Sequence, residues 1–238
     1  MGFSPEKLQS VTSLPKDFLT FWNTNKAEAE KYPLKPIMTL LPERCTDMVN
    51  VYHISFQNNG NNSQIYGILC IPKVPAKYPA ILKLPGAGVS AYKGEIERAS
   101  KGFIILEIGI HGIPVNMPGT VYQDLCKGAM KDYYFMNLSD KDDYYYKRVY
   151  MGCVKAIDFI YSLPEFNGNL ATFGSNQGGT LSIITAGLDK RVKALAAFYL
   201  GLCDMAGYIH GRAGGCHQMF KDKERRTPEN IETAQYYM

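Results

Sequence analysis

The sequence predicts an α/β fold, a mostly parallel sheet with helices on both faces and an antiparallel hairpin on its N-terminal side. Three observations carry that expectation. Ala80-Ile81-Leu82-Lys83-Leu84 and Phe103-Ile104-Ile105-Leu106 are short, nearly unbroken apolar runs, the signature of strands buried on both faces. Residues 143–163 place Val149, Cys153, Ala156, Ile157 and Ile160 on one face of a helix. Strand-like and helix-like segments then alternate with short links: Leu170 to Phe173, Gly178 to Leu188, Val192 to Phe198. That alternation gives parallel strands joined by right-handed crossovers.

The remaining elements follow in order. Leu14-Pro15 opens a helix that carries Phe18, Phe21 and Trp22 at helical spacing and ends near Pro33. Val49 to Gln57 and Gln64 to Ile71 alternate as strands do. The link between them, Asn58-Asn59-Gly60-Asn61-Asn62, is hairpin chemistry, so this pair is expected at a sheet edge. Tyr92 to Ser100 reads as a crossover helix closed by Gly102. Residues 112–141 have no clear period and read as a long loop at the edge of the site. No internal repeat or low-complexity tract is visible, and 238 residues fit a single domain, 1–238.

Composition narrows the function classes. Hydrophobic residues make up 46% and charged residues 20%, enough apolar side chain for a core. The net charge of +4 comes from 26 basic and 22 acidic residues, and the one basic cluster, Lys221 to Arg226, is interrupted by Asp222 and Glu224. A solvated loop fits that cluster, and no nucleic-acid partner is expected. The six cysteines are scattered without a C-x-x-C pair, and no His or carboxylate cluster has metal-ligand spacing, so no metal is expected. The apolar runs fall far short of the ~20 residues that span a bilayer, so no membrane partner is expected. Met1-Gly2-Phe3-Ser4-Pro5 does not open a signal peptide, and the compartment is left open.

The most informative segment is Leu170-Ala171-Thr172-Phe173-Gly174-Ser175-Asn176-Gln177-Gly178-Gly179, a strand turning through small residues directly into a helix. This is the setting of the nucleophile elbow, G-x-S-x-G. Small flanking residues are needed because the backbone folds tightly around a strained apex. The helix N-terminus behind it offers N–H groups to a developing oxyanion. Here the frame is G-S-N-Q-G, with Asn176 at the apex. A carboxamide has no hydroxyl to surrender to a base, so Asn176 cannot form an acyl-enzyme in the ordinary way. Ser175 stands one residue early and is the one candidate for a displaced nucleophile.

From Tyr145 to Asp204 the chain resembles carbohydrate esterase family 7, the acetyl xylan esterases and cephalosporin-C deacetylases. That family's elbow reads G-G-S-Q-G-G after a tyrosine-rich helix, and Leu14-Pro15 with Phe18, Phe21 and Trp22 resembles its N-terminal helix. The resemblance implies an α/β-hydrolase fold and the hydrolysis, with no cofactor, of acetyl esters on carbohydrates or of other small esters. It further implies that Asn176 stands in the nucleophile position and that Gln177 and Ala87 supply the oxyanion N–H groups, with Gly86 and Gly88 lining the site. Two departures stand out. Ile110-His111-Gly112 replaces the family's R-G-Q, and the family's aspartate and histidine follow later strands, whereas 238 − 176 = 62 residues follow Asn176. The expectation is therefore a C-terminally incomplete hydrolase with 201–226 as a lid-like insertion. Its last strand would lack a neighbour, and self-association or a homo-oligomer is expected from that open edge.

Of the four histidines, His111 follows the Phe103–Leu106 strand and is expected to line the site. His53 reads as structural on an edge strand, and His210 and His217 as residues of a surface loop. Two other functions stay open. Gly86-Ala87-Gly88-Val89-Ser90-Ala91 fits G-x-G-x-x-G/A, and Glu107 lies 107 − 88 = 19 residues beyond Gly88, mimicking a dinucleotide-binding fingerprint. Asn176 itself raises a non-catalytic carbohydrate-binding relative that uses the same pocket.

Overall fold

A computed structural model describes residue 7 and residues 13–60, 63–212, 214–215 and 217–237. Seven strands form one sheet: β1 (Ile37–Leu40), β2 (Val49–Gln57), β3 (Gln64–Pro72), β4 (Tyr78–Leu84), β5 (Ile104–Gly109), β6 (Phe166–Ser175) and β7 (Val192–Phe198). Their spatial order is β1-β2-β3-β5-β4-β6-β7. The first half is antiparallel through the β3–β5 pair, and β5, β4, β6 and β7 run parallel. The nearly unbroken apolar runs at 80–84 and 103–106 fall on β4 and β5 at the sheet centre, with Leu82 opposite Leu106 on one side and Thr172 on the other.

Among the described residues six helices accompany the sheet: α1 (Phe18–Glu30), α2 (Ile96–Ser100), α3 (Gly119–Lys127), α4 (Tyr145–Tyr161), α5 (Gln177–Leu188) and α6 (Pro228–Tyr237). The long helix α4 buries Val149, Cys153, Ala156, Ile157 and Ile160, the face that its sequence period predicts. In α1, Phe21 and Trp22 pack against Tyr236 and Tyr237 of α6, and the Trp22 indole donates to the Tyr236 carbonyl at 3.1 Å. The buried Lys155 ammonium donates to the Tyr32 carbonyl at 2.7 Å and to the Ala29 carbonyl at 3.4 Å, satisfying orphan acceptors where α1 ends.

Four expectations need correction. The β2–β3 hairpin is not at the edge, because β1 pairs with β2 outside it, so His53 lies on the second strand. All four residues of β1 are exposed, which leaves no apolar alternation to read. Helix α2 begins at Ile96 rather than Tyr92, since Gly94 turns the chain at φ +90°, where a side chain would collide with Ile68 and Cys70. Residues 112–141 are not one loop: they contain α3 and a 3-10 turn at Tyr133–Phe135. Only Tyr122 of α3 is buried, too little apolar face to announce a helix. Finally, β6 starts at Phe166, four residues before Leu170, because Asn167-Gly168-Asn169 resembles a turn but is absorbed as an irregular strand start. No helix among the described residues is long and apolar enough to cross a membrane.

Candidate active site

Strand β6 ends at Ser175 and α5 begins at Gln177, leaving Asn176 alone between them at φ 55°, ψ −125°. Such a backbone costs a non-glycine residue ~1–3 kcal/mol and persists only where its surroundings enforce it. Here they do. A Cβ on Gly174 would lie 2.4 Å from the Gly178 carbonyl group, and one on Gly178 would lie 2.2 Å from the Leu84 carbonyl oxygen. Gly201 passes so close that its Cβ would meet Asn176 Oδ1 and the Gln177 nitrogen at 2.9 Å. The Asn176 N–H donates to the Phe198 carbonyl at 2.9 Å, and the Asn176 carbonyl accepts from the N–H groups of Gly179 and Gly201, each at 3.1 Å.

The side chain of Asn176 folds back onto the helix it caps. Its Oδ1 accepts from the Gln177 N–H at 2.7 Å, so the donor that a serine enzyme would aim at an oxyanion is held by the apex residue. Ala87 is exposed on the turn after β4, and its N–H has no hydrogen bond among the described residues. Ser175 is exposed at the end of β6, with no described group bonded to its hydroxyl.

Gln177 is fully buried, and its carboxamide joins the elbow to α4, to Tyr133 and to the turn after β4. Oε1 accepts from the hydroxyls of Tyr133 at 2.7 Å and Tyr146 at 2.6 Å. Nε2 donates to the Gly86 carbonyl at 3.3 Å, and the Gly88 N–H donates to the Tyr133 hydroxyl at 3.3 Å. His111 secures the far side of the same turn: its Nε2 lies 2.9 Å from the Gly88 carbonyl and its Nδ1 2.6 Å from the Tyr145 hydroxyl. A carbonyl only accepts, so Nε2 carries the proton and Nδ1 accepts from Tyr145. Burial pushes the His111 pKa down to about 4, keeping the ring neutral. Burial also raises the Tyr145 and Tyr146 phenols, so both remain donors. In place of R-G-Q, Ile110-His111-Gly112 presents the Ile110 carbonyl to Arg148 at 2.9 Å.

The other candidates are brought elsewhere. His217 does not lie on an open loop; its ring stacks on Tyr134 at 3.8 Å, its Nε2 is buried without a hydrogen-bond partner among the described residues, and burial lowers its pKa. Asp189 pairs with Arg191 at 2.6 Å and Asp204 with Arg212 at 2.8 Å, and the arginines hold both carboxyls below their ordinary pKa. Neither aspartate orients a histidine. Glu107, the acidic residue of the dinucleotide alternative, is buried and ion-paired with Lys83 at 2.8 Å, and Lys83 also pairs with Glu95. The glycine turn moreover runs through non-helical backbone to Ile96 instead of opening a helix at once, which removes the phosphate cradle of that fingerprint. Among the described residues no group of three or more His, Cys, Asp or Glu is placed to hold a metal. A cavity of about 820 Å³ lies between α1, α4, α5 and α6 and is lined by no elbow residue.

Sequence reasoning missed Tyr133, Tyr146 and Gly201. Tyr133 lies in the aperiodic stretch, and Gly201 is one of several glycines after β7 whose role appears only once the chain folds back over the apex.

Comparison with known proteins shows the family and the fold. A family model described as acetyl xylan esterase (AXE1) matches residues 6–214. A curated acetyl esterase of Xylanibacter ruminicola is 41% identical over 245 aligned positions, which take in all of this chain and 55% of that protein. The chain therefore spans about half the length of this relative. Among solved structures, an acetyl xylan esterase from Paenibacillus sp. R4 superposes with a TM-score of 0.74 at 23% identity, covering 96% of this chain and 75% of that one. Acetyl xylan esterase 1 from Thermoanaerobacterium gives 0.76 at 18%, covering 94% and 73%. At such identities the likeness establishes the fold, which is the expected α/β-hydrolase fold.

Proposed function

Since the chain belongs to the acetyl xylan esterase family, we propose that its elbow marks a pocket for acetyl esters of carbohydrates or other small esters, and that Asn176 withholds covalent catalysis from that pocket. In a serine-bearing elbow the hydroxyl attacks the ester carbonyl, N–H groups hold the oxyanion, and water releases the acyl group. A carboxamide offers no such hydroxyl. One observation carries the reading: Asn176 stands in the strained apex conformation with Oδ1 on the Gln177 N–H, filling the nucleophile's place and one oxyanion donor together. The chemistry calls for no metal or cofactor. Residues 201–226 are read as a lid over the pocket within a single domain. Strand β7 is the last in the sheet order and its residues are largely exposed, which supports self-association through that edge.

The test is hydrolysis of an activated acetyl ester, with mass analysis of the quenched protein. No burst and no acyl adduct are expected, and a slow rate of the kind that binding and oxyanion donors leave behind is compatible. Asn176→Ser alone is expected to leave this chain without a burst, since no described histidine–carboxylate pair meets the apex. A burst with an acetyl group trapped on Asn176 or Ser175 refutes the reading. Sedimentation of the chain tests the association: a single, stable monomer counts against it.

A further inference from the structure

The orientation of the Asn176 amide has a chemical consequence. Because Oδ1 takes the Gln177 N–H at 2.7 Å, the amide cannot be flipped without setting NH₂ against N–H. Nδ2 therefore faces away from α5, and neither of its hydrogens has an acceptor among the described residues. The residue is half-buried, and Nδ2 is not among the buried orphan atoms, so a ligand can reach it. A second donor lies on the turn that faces the elbow. The Ala87 N–H is unpaired among the described residues, and its turn abuts the elbow: a Cβ on Gly86 would stand 3.8 Å from the Ser175 carbonyl. Gln177 Nε2 ties that same turn down through the Gly86 carbonyl.

We infer that Asn176 converts the elbow apex from a nucleophile into a hydrogen-bond donor, and that Nδ2 and the Ala87 N–H together hold the carbonyl oxygen of an intact O-acetyl sugar. This inference rests on the ester-pocket reading above. Two unpaired donors call for an acceptor oxygen. Residues 85–91 and 174–178 contain no charged side chain, so the matching acceptor is a neutral ester carbonyl rather than a carboxylate or a phosphate. With no hydroxyl at the apex and His111 committed to Gly88 and Tyr145, the bound ester is retained, not cleaved.

The probe is methyl 2,3-di-O-acetyl-β-D-xylopyranoside, titrated into the ¹⁵N-labelled chain and compared with the unacetylated methyl xyloside. The expected result is a saturable shift of the Asn176 side-chain amide and the Ala87 amide by the acetylated probe alone, with the probe recovered unhydrolysed. Asn176→Asp changes a single NH₂ to an oxygen and should weaken binding roughly tenfold or more. Asn176→Gly, which accepts the positive φ without strain, should weaken it also if the Asp variant fails to fold. Equal binding of the two xylosides, shifts confined to other residues, no binding, or full affinity in the folded variant overturns the inference and leaves the inert-elbow reading standing. Release of acetate through an acyl adduct overturns that reading instead.

Discussion

Replacing Gln177 by leucine tests whether a buried carboxamide holds the pocket together. The volumes are similar, so the change is one of hydrogen bonding. The Tyr146 hydroxyl, in a residue 1% exposed, has Gln177 Oε1 as its acceptor at 2.6 Å and would be left without one. Tyr133 would lose the same acceptor at 2.7 Å but keep the Gly88 N–H as a donor to it, and the Gly86 carbonyl would lose a weak partner at 3.3 Å. An unsatisfied buried polar group costs ~1–3 kcal/mol. One full orphan and two partial ones give about 3 kcal/mol, or a fall in Tm of ~6–12 °C for a chain of this size. Urea denaturation of four proteins makes the test: wild type, Gln177→Leu, Tyr146→Phe and the double variant. Tyr146→Phe alone should cost ~1 kcal/mol, because Oε1 still accepts from Tyr133. In the leucine background it should cost nothing or stabilise, since it removes the orphan. If Gln177→Leu loses less than ~0.5 kcal/mol, or Tyr146→Phe costs the same in both backgrounds, the clamp is not what joins these elements.

Other outcomes follow from the same geometry. His111 titrates at about 4 when folded, below its ordinary 6.5, so its stabilising contribution is present above pH 6.5 and lost as pH falls towards 4, by up to about 3 kcal/mol. Burial shifts His53 and His217 the same way, so His111→Asn should flatten the dependence of the urea midpoint over that window without abolishing it; an unchanged slope counts against the assignment. Lys83→Met strands the Glu107 carboxylate and should cost about 3 kcal/mol, most of it recovered when Glu107→Leu is added; a failure to recover would place the loss in packing. Gly178→Ala drives a methyl to 2.2 Å from the Leu84 carbonyl and should cost more than ~3 kcal/mol, whereas Gly187→Ala on the open side of α5 should stabilise by ~0.5–1 kcal/mol; melting curves of the pair read the contrast directly.

The segments legible in the sequence were those whose environment is simple. Residues 80–84 and 103–106 lie at the sheet centre, where burial on both faces favours nearly unbroken apolar runs, and the exceptions on these strands, Lys83 and Glu107, pair with each other. Helix α4 has a wide apolar face and reads cleanly from its period. The elbow was legible for a steric reason: Gly174 and Gly178 leave no room for a Cβ, so their spacing announces the turn before any chemistry is considered. Illegibility had causes as definite. Strand β1 shows four exposed residues, and α3 buries only Tyr122, so neither imposes a pattern. Gly94 halted a helix that composition allowed. At the site, the partners of Gln177 come from Tyr133 and Tyr146, 44 and 31 residues away, and no local pattern encodes such a meeting. The stack of His217 on Tyr134 is of the same long-range kind.

What holds Asn176 in its strained turn is not the side chain that a hydrolase would use. Its N–H goes to Phe198, its carbonyl takes Gly179 and Gly201, and the close passages at Gly174, Gly178 and Gly201 fix the path on either side. The Tyr133 and Tyr146 hydroxyls anchor the following residue, and His111 anchors the facing turn. None of these interactions needs a hydroxyl at position 176. The elbow is therefore energetically separable from the nucleophile, and a change of apex residue can cost the chemistry without costing the fold. The apex backbone, at φ 55° and ψ −125°, lies outside the left-handed helical region that asparagine favours, so the strain remains and the short amide offsets only part of it by bonding locally. Here that local bond is Oδ1 on the Gln177 N–H. The interaction that steadies asparagine at the strained apex thus also occupies the donor an oxyanion would need, so structural fit and catalytic competence pull in opposite directions at this one residue.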